Sequence, residues 1–141
     1  MKPASLSLLA AAGLAACSAY PLSPPPEPLL PPAPAGASLA GGDCFRTSDI
    51  RNHTILNSRT LLLRVNRGEV YRVTMAGACL AGAISSDPLV MNQPPGSPIV
   101  CRPLDFDVGV SKGGIPNRCI VESIDRLPPE QVDALPRKLK P

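Results

Sequence analysis

TLLLRVNRGEVYRVTM, residues 60–75, holds two β-rich runs on either side of Asn66-Arg67-Gly68. A glycine in the third loop position can adopt the left-handed conformation that closes a hairpin through a bulge, so a three-residue connection is expected. The register follows: Val65 faces Glu69, Leu63 faces Tyr71 and Leu61 faces Val73, which gathers the apolar residues on one side. A two-residue loop would set Leu61 and Leu63 against Arg72 and Val70, or against Thr74 and Arg72, and a one-residue slip turns a whole face over. The hairpin therefore predicts one packed face and one outer face bearing Arg64 and Arg72, with Arg67 at the tip.

Shorter signals surround it. GACLAGAI (77–84) and SPIVC (97–101) read as short buried strands around a proline-rich loop containing SSDPLVMNQPPG (85–96). In LDFDVGV (104–110) the alternation puts Phe106, Val108 and Val110 on one face and Asp105 and Asp107 on the other. RCIVESI (118–124) predicts a final strand, SKGGIPN (111–117) a turn, and PPEQVDALP (128–136) at most two helical turns, started by proline and stopped by Pro136. Short strands separated by Gly and Pro indicate a mainly β protein, a small antiparallel barrel or sandwich with one short C-terminal helix. No internal repeat is visible.

The 141 residues leave room for one domain, and the first forty or so differ from the rest. Residues 43–141 contain three aromatic residues, Phe45, Tyr71 and Phe106, so the core is thin and covalent constraint would help it. Net charge is +3, without any run of five or six like charges, which is well short of a nucleic-acid footprint. Arg137, Lys138 and Lys140 form a short basic tail.

Met1 and Lys2 precede an apolar stretch, residues 4–16, that has the form of a secretory signal and is too short to span a bilayer. Leu14-Ala15-Ala16-Cys17 resembles the lipobox of bacterial lipoproteins, in which the chain is cut before a Cys that then carries lipid. The resemblance implies a signal peptide over 1–16 and lipidation at Cys17. Ser18 in the next position implies forwarding to the outer membrane; a cell-envelope lipoprotein with a periplasmic domain is expected, although the side of that membrane it faces is not encoded. Cys17 would then be the membrane anchor, and residues 17–42 a tether whose eight prolines favour an extended path. Residues 43–141 form the small β domain.

Cysteine arithmetic agrees with export. Of five Cys, lipidation of Cys17 leaves Cys44, Cys79, Cys101 and Cys119 as an even set in a compartment where disulfides persist. No C-x-x-C pair is present, which argues against zinc and redox catalysis. No metal or other cofactor is expected.

The segments running from CFRTSDIRNHTILNSRTLLLRVNRGEVYRVTMAGACLAGAI through IVCRPLDFDVGV to CIVESIDRLPPEQVDALP resemble a family of small bacterial exported domains of unknown function, over residues 44–136. Its four cysteines are the most specific marks. The resemblance implies export and a compact cysteine-bearing domain, and brings no activity or catalytic residue. Where that family often has Thr ahead of the last helix's proline, this chain has Pro128. Four cysteines permit three pairings. The expected one joins Cys79 to Cys101, closing a loop between neighbouring strands, and Cys44 to Cys119, tying the start of the domain to its last strand.

Three constellations bear on function. Arg64, Arg67 and Arg72, with Arg59 nearby, form a candidate anionic-ligand face for lipid head groups, glycan phosphates or an acidic protein. Charge of this kind also protects edge strands from aggregation. Asp105 and Asp107 could act as paired carboxylates only with further ligands. His53, the single histidine, stands in NHT (52–54) without the serine or cysteine and carboxylate that nucleophilic catalysis uses. The expected function is a lipid-anchored, non-catalytic binding or structural module. The alternatives are a periplasmic inhibitor of a wall-degrading enzyme and a hydrolase using His53. Oligomeric state is not encoded.

Overall fold

A computed structural model of the chain describes residues 30–34, 36–66, 68–92 and 98–141. Nine strands lie among them: β1 (Phe45–Arg46), β2 (Ile50–Ile55), β3 (Thr60–Val65), β4 (Val70–Met75), β5 (Leu89–Met91), β6 (Ile99–Val100), β7 (Val108–Lys112), β8 (Ile115–Cys119) and β9 (Val121–Arg126). A six-residue helix, α1 (Pro129–Ala134), follows. The strands form three antiparallel sheets in the orders β1-β6, β2-β3-β4-β9 and β5-β7-β8. The fold is mainly β and disulfide-stapled, as expected, and its sheets do not close into a barrel.

The β3-β4 hairpin has the register its sequence predicts. Leu63 pairs with Tyr71 and Leu61 with Val73. The Val65 N–H donates to the Glu69 carbonyl at 2.9 Å, and Gly68 supplies the left-handed residue, φ +82°. Leu61, Leu63, Val65, Tyr71, Val73 and Met75 enter the main core with Phe106, Val108, Val110 and Ile124. Phe45 links the sheets there, with its ring centroid 4.7 Å from that of Tyr71 and 5.8 Å from that of Phe106.

The opposite face of this hairpin is not a solvated surface. Leu62 and Val70 are buried in a second apolar cluster with Leu30, Leu127 and Leu135, against which Leu56 and Val132 pack. Three consecutive leucines, residues 61–63, are thus fully buried because the strand is covered on both sides, by the main core and by the chain around α1. Burying Leu62 in this way contributes about 2 kcal/mol.

Several short segments differ from expectation. Residues 77–84 form turns, because alanine and glycine offer little cross-strand packing; within them Leu80 is buried in the main core. Conversely, Leu89–Met91, inside the proline-rich region, pairs with β7. Pro103 initiates a 3-10 turn over Pro103–Asp105, so β7 starts only at Val108. Residues 118–124 divide at Ile120 between β8 and β9. Gly113 and Gly114, φ +58° and +83°, make a two-residue turn that joins β7 to β8. Pro116 is tolerated in β8 because β8 is an edge strand. Gly109 is required by close approach: a Cβ there would collide with the Asn117 carbonyl group.

The disulfides join Cys44 to Cys101 and Cys79 to Cys119, correcting the expected pairing. The reason is register. Phe45 pairs with Val100 across β1-β6, which makes Cys44 and Cys101 the next opposed positions, with Cα atoms 4.6 Å apart. Cys79 is in the turn region after β4 rather than in a strand beside Cys101. There the Asn117 amide donates to the Cys79 carbonyl at 3.0 Å, and Cys79 meets the end of β8.

Packing extends N-terminal to residue 43. Leu30 fills the second cluster, the Pro31 carbonyl accepts from Arg72, and the Ala37 carbonyl accepts from the β9 residue Ile124 at 3.0 Å. The Leu39 N–H donates to the Cys101 carbonyl at 2.8 Å. These contacts lie within the segment expected as a free tether, so its last part is docked on the domain and covers part of the β9 edge.

Candidate functional site

The hairpin arginines divide by their surroundings. Arg64 is exposed, on the same face as Leu62 and opposite Val70. Arg72 is 7% exposed and points into that face, a correction to the solvent-facing placement expected for it. Its Nη2 is 2.8 Å from Asp125 Oδ2 and its Nε donates to both Asp125 carboxylate oxygens, at 3.1 and 3.0 Å. Arg72 faces Asp125 because β4 and β9 are neighbours in which the two residues are paired. Arg59 is held by Glu122 at 2.6 Å and donates to the Met75 carbonyl at 3.1 Å. Arg67 and Cys17 lie outside the described residues.

A shallow cleft of about 290 Å³ opens beside the hairpin, between Gly68, Glu69 and Val70 on one wall and Pro129, Val132 and Asp133 on the other. Arg126 lies in it, 2.8 Å from Asp43 and 3.0 Å from Glu69, and these carboxylates raise its pKa, the hydrogen bond to Asp43 most. Below it the Tyr71 hydroxyl donates to Glu69 Oε2 at 3.4 Å. Burial first, and then the negative charge of Glu69, push the Tyr71 hydroxyl up to about 12. This chain of paired charges closes the end of the sheet where the hairpin, residue 43 and β9 meet.

His53 lies in β2, half-buried, with Nε2 3.0 Å from the Asp87 carbonyl oxygen. Burial lowers its pKa, partly offset by that hydrogen bond and by the Asp87 charge. The nearby Ser85 hydroxyl accepts from the Ile55 N–H at 2.9 Å, and an Asp87 carboxylate oxygen accepts from the Ile84 N–H at 3.0 Å. All three side chains thus bind backbone, and together they pin residues 84–88 along the outer edge of β2.

Asp105 and Asp107 do not converge. Asp105 receives the Arg102 guanidinium at 2.9 Å together with the backbone N–H groups of Cys101 and Arg102, and its carboxyl is held below the usual range, chiefly by the Arg102 side chain. Asp107 pairs with Arg118 of β8. Among the described residues no cluster of three or more His, Cys, Asp or Glu is placed to hold a metal. Nor is any helix there long and apolar enough to cross a membrane.

No protein-family model, curated protein or solved structure matches the chain. Asp125, Glu122 and Asp43 carry much of the electrostatic organisation, and sequence reading missed them. VESIDR does place Glu122 two positions from residue 124 on a strand, but which cation each acid meets depends on strand order, which no local pattern contains.

Proposed function

We propose that the chain is a lipid-anchored, non-catalytic module of the bacterial cell envelope, held at the outer membrane through Cys17 and serving as a binding or structural element toward an anionic envelope component or protein. Kinship with the family of small exported domains belongs to the same reading.

The observation that carries it is the cysteine arrangement. Four of the five cysteines are joined in two disulfides, and the fifth, Cys17, stands in the lipobox-like Leu14-Ala15-Ala16-Cys17. Two cross-links in so small a domain favour an oxidising compartment. Several acyl chains, at about 0.8 kcal/mol per buried methylene, would hold the protein firmly to a membrane.

Intact mass of the mature protein before and after reduction tests this. The expected product starts at an acylated Cys17 and exposes four thiols only with reductant. A chain with its leader uncut and every thiol free overturns it.

A further inference from the structure

We propose that Cys44–Cys101 is a redox-sensitive clasp: a dithiol reductant opens it ahead of Cys79–Cys119, and its opening frees the two-strand ribbon β1-β6 together with the residues that lead into it. A thiolate of the dithiol attacks one sulfur of the bridge, forming a mixed disulfide and releasing the other cysteine as a thiolate, which takes up a proton. The second thiol of the reductant then loses its proton and displaces the remaining protein sulfur. The bridge gains two electrons and two protons, and the dithiol leaves as a disulfide. The clasp works in this way whether or not Cys17 carries lipid.

The two bridges differ first in cover. Cys119 is buried in the main core, and Cys79, though partly exposed, packs against that core. The Asn117 amide lies 3.5 Å from the Cys79 sulfur and shields it further. Cys44 and Cys101 are both partly exposed and belong to neither apolar cluster. Thiol exchange needs access to a sulfur, so the bridge open at both ends reacts before the one embedded at one end.

They differ second in what else holds the elements they join. β1 and β6 are two residues each and pair only with each other, Phe45 with Val100 and Arg46 with Ile99. So short a ribbon does not persist without further support. Three backbone hydrogen bonds gather around the bridge: Leu39 N–H to the Cys101 carbonyl at 2.8 Å, Asp43 N–H to the Ala40 carbonyl at 2.8 Å, and Thr47 N–H to the Pro98 carbonyl at 3.0 Å. The bridge is therefore the one covalent tie between the entering chain and residues 98–101. By contrast β8, which ends at Cys119, is paired with β7 over five positions, and the Asn117 amide holds the Cys79 carbonyl at 3.0 Å. Opening Cys79–Cys119 leaves its elements in place; opening Cys44–Cys101 lets the ribbon and residues 37–47 loosen.

The test treats the oxidised full chain with limiting dithiothreitol, quenches at intervals, alkylates the free thiols and reads them by peptide mass. Cys44 and Cys101 should become alkylated about tenfold or more faster than Cys79 and Cys119. Hydrogen exchange on the half-reduced chain should show residues 37–47 exchanging about tenfold or more faster than in the oxidised chain, with residues 60–75 unchanged. Reoxidation should restore the original exchange. Equal rates for the two bridges, or earlier opening of Cys79–Cys119, overturn the proposal. Selective opening of Cys44–Cys101 with residues 37–47 still protected overturns the clasp, because the ribbon is then held without it. Loss of protection in residues 60–75 along with 37–47 also overturns it, because the bridge then supports the whole domain rather than the ribbon.

Discussion

Arg72 and Asp125 sit directly opposite each other on β4 and β9, 2.8 Å apart. Because Arg72 also binds the Pro31 carbonyl, one guanidinium joins the sheet to the N-terminal segment. Asp125→Ala leaves a nearly buried cation without its carboxylate and should cost about 3 kcal/mol, at the low end for such pairs since Asp125 retains some solvent contact. Replacing both partners, with Arg72→Met and Asp125→Leu, should recover much of that loss beside the apolar cluster. Denaturant unfolding of the single and double variants measures both. A double variant less stable than Asp125→Ala contradicts the assignment of the loss to an unpaired charge.

Gly109 predicts a steric effect on the other side of the core. A methyl group at this position meets the backbone of β8, so Gly109→Ala must push β7 and β8 apart and should destabilise by about 3 kcal/mol. Gly77, which has open space around its would-be Cβ, is the control and should change stability by less than about 0.5 kcal/mol as Ala. Thermal unfolding compares the two.

Proteolysis of the unreduced protein should yield linked peptides joining Cys44 to Cys101 and Cys79 to Cys119. With sequence separations of 57 and 40 residues, each bridge stabilises by about 4 kcal/mol in the chain-entropy treatment. Removing either pair as a double Cys→Ser variant should therefore lower stability by an amount comparable with the whole margin of a small domain. Recovery of a Cys79–Cys101 peptide would contradict the β1-β6 register.

Acid and alkaline limits follow from two residues. His53 is neutral-favouring in the fold, so its stabilisation is complete above the ordinary imidazole pKa of about 6.5 and is lost as pH falls through its lowered folded value. His53→Gln should flatten the acid side of a stability–pH curve in that window. Tyr71 has the opposite sense: its stabilisation is complete below the unfolded pKa of about 10 and is lost as pH rises toward about 12. Tyrosinate absorbance should show one late-titrating phenol, absent in Tyr71→Phe.

Local patterns made the β class, the β3-β4 register, the short final helix and the use of the four domain cysteines as cross-links legible in advance. Each depends on side-chain alternation, on one left-handed glycine or on proline's fixed backbone, interactions that close within a few residues of chain. Strand order brought Asp125 under Arg72, register set Cys44 against Cys101, and packing of Leu30 and Leu135 buried a hairpin face that carries two arginines. Those outcomes belong to tertiary structure because each joins residues 32 to 105 positions apart, and no local periodicity records which distant partner will neutralise a charge or cover an apolar side chain.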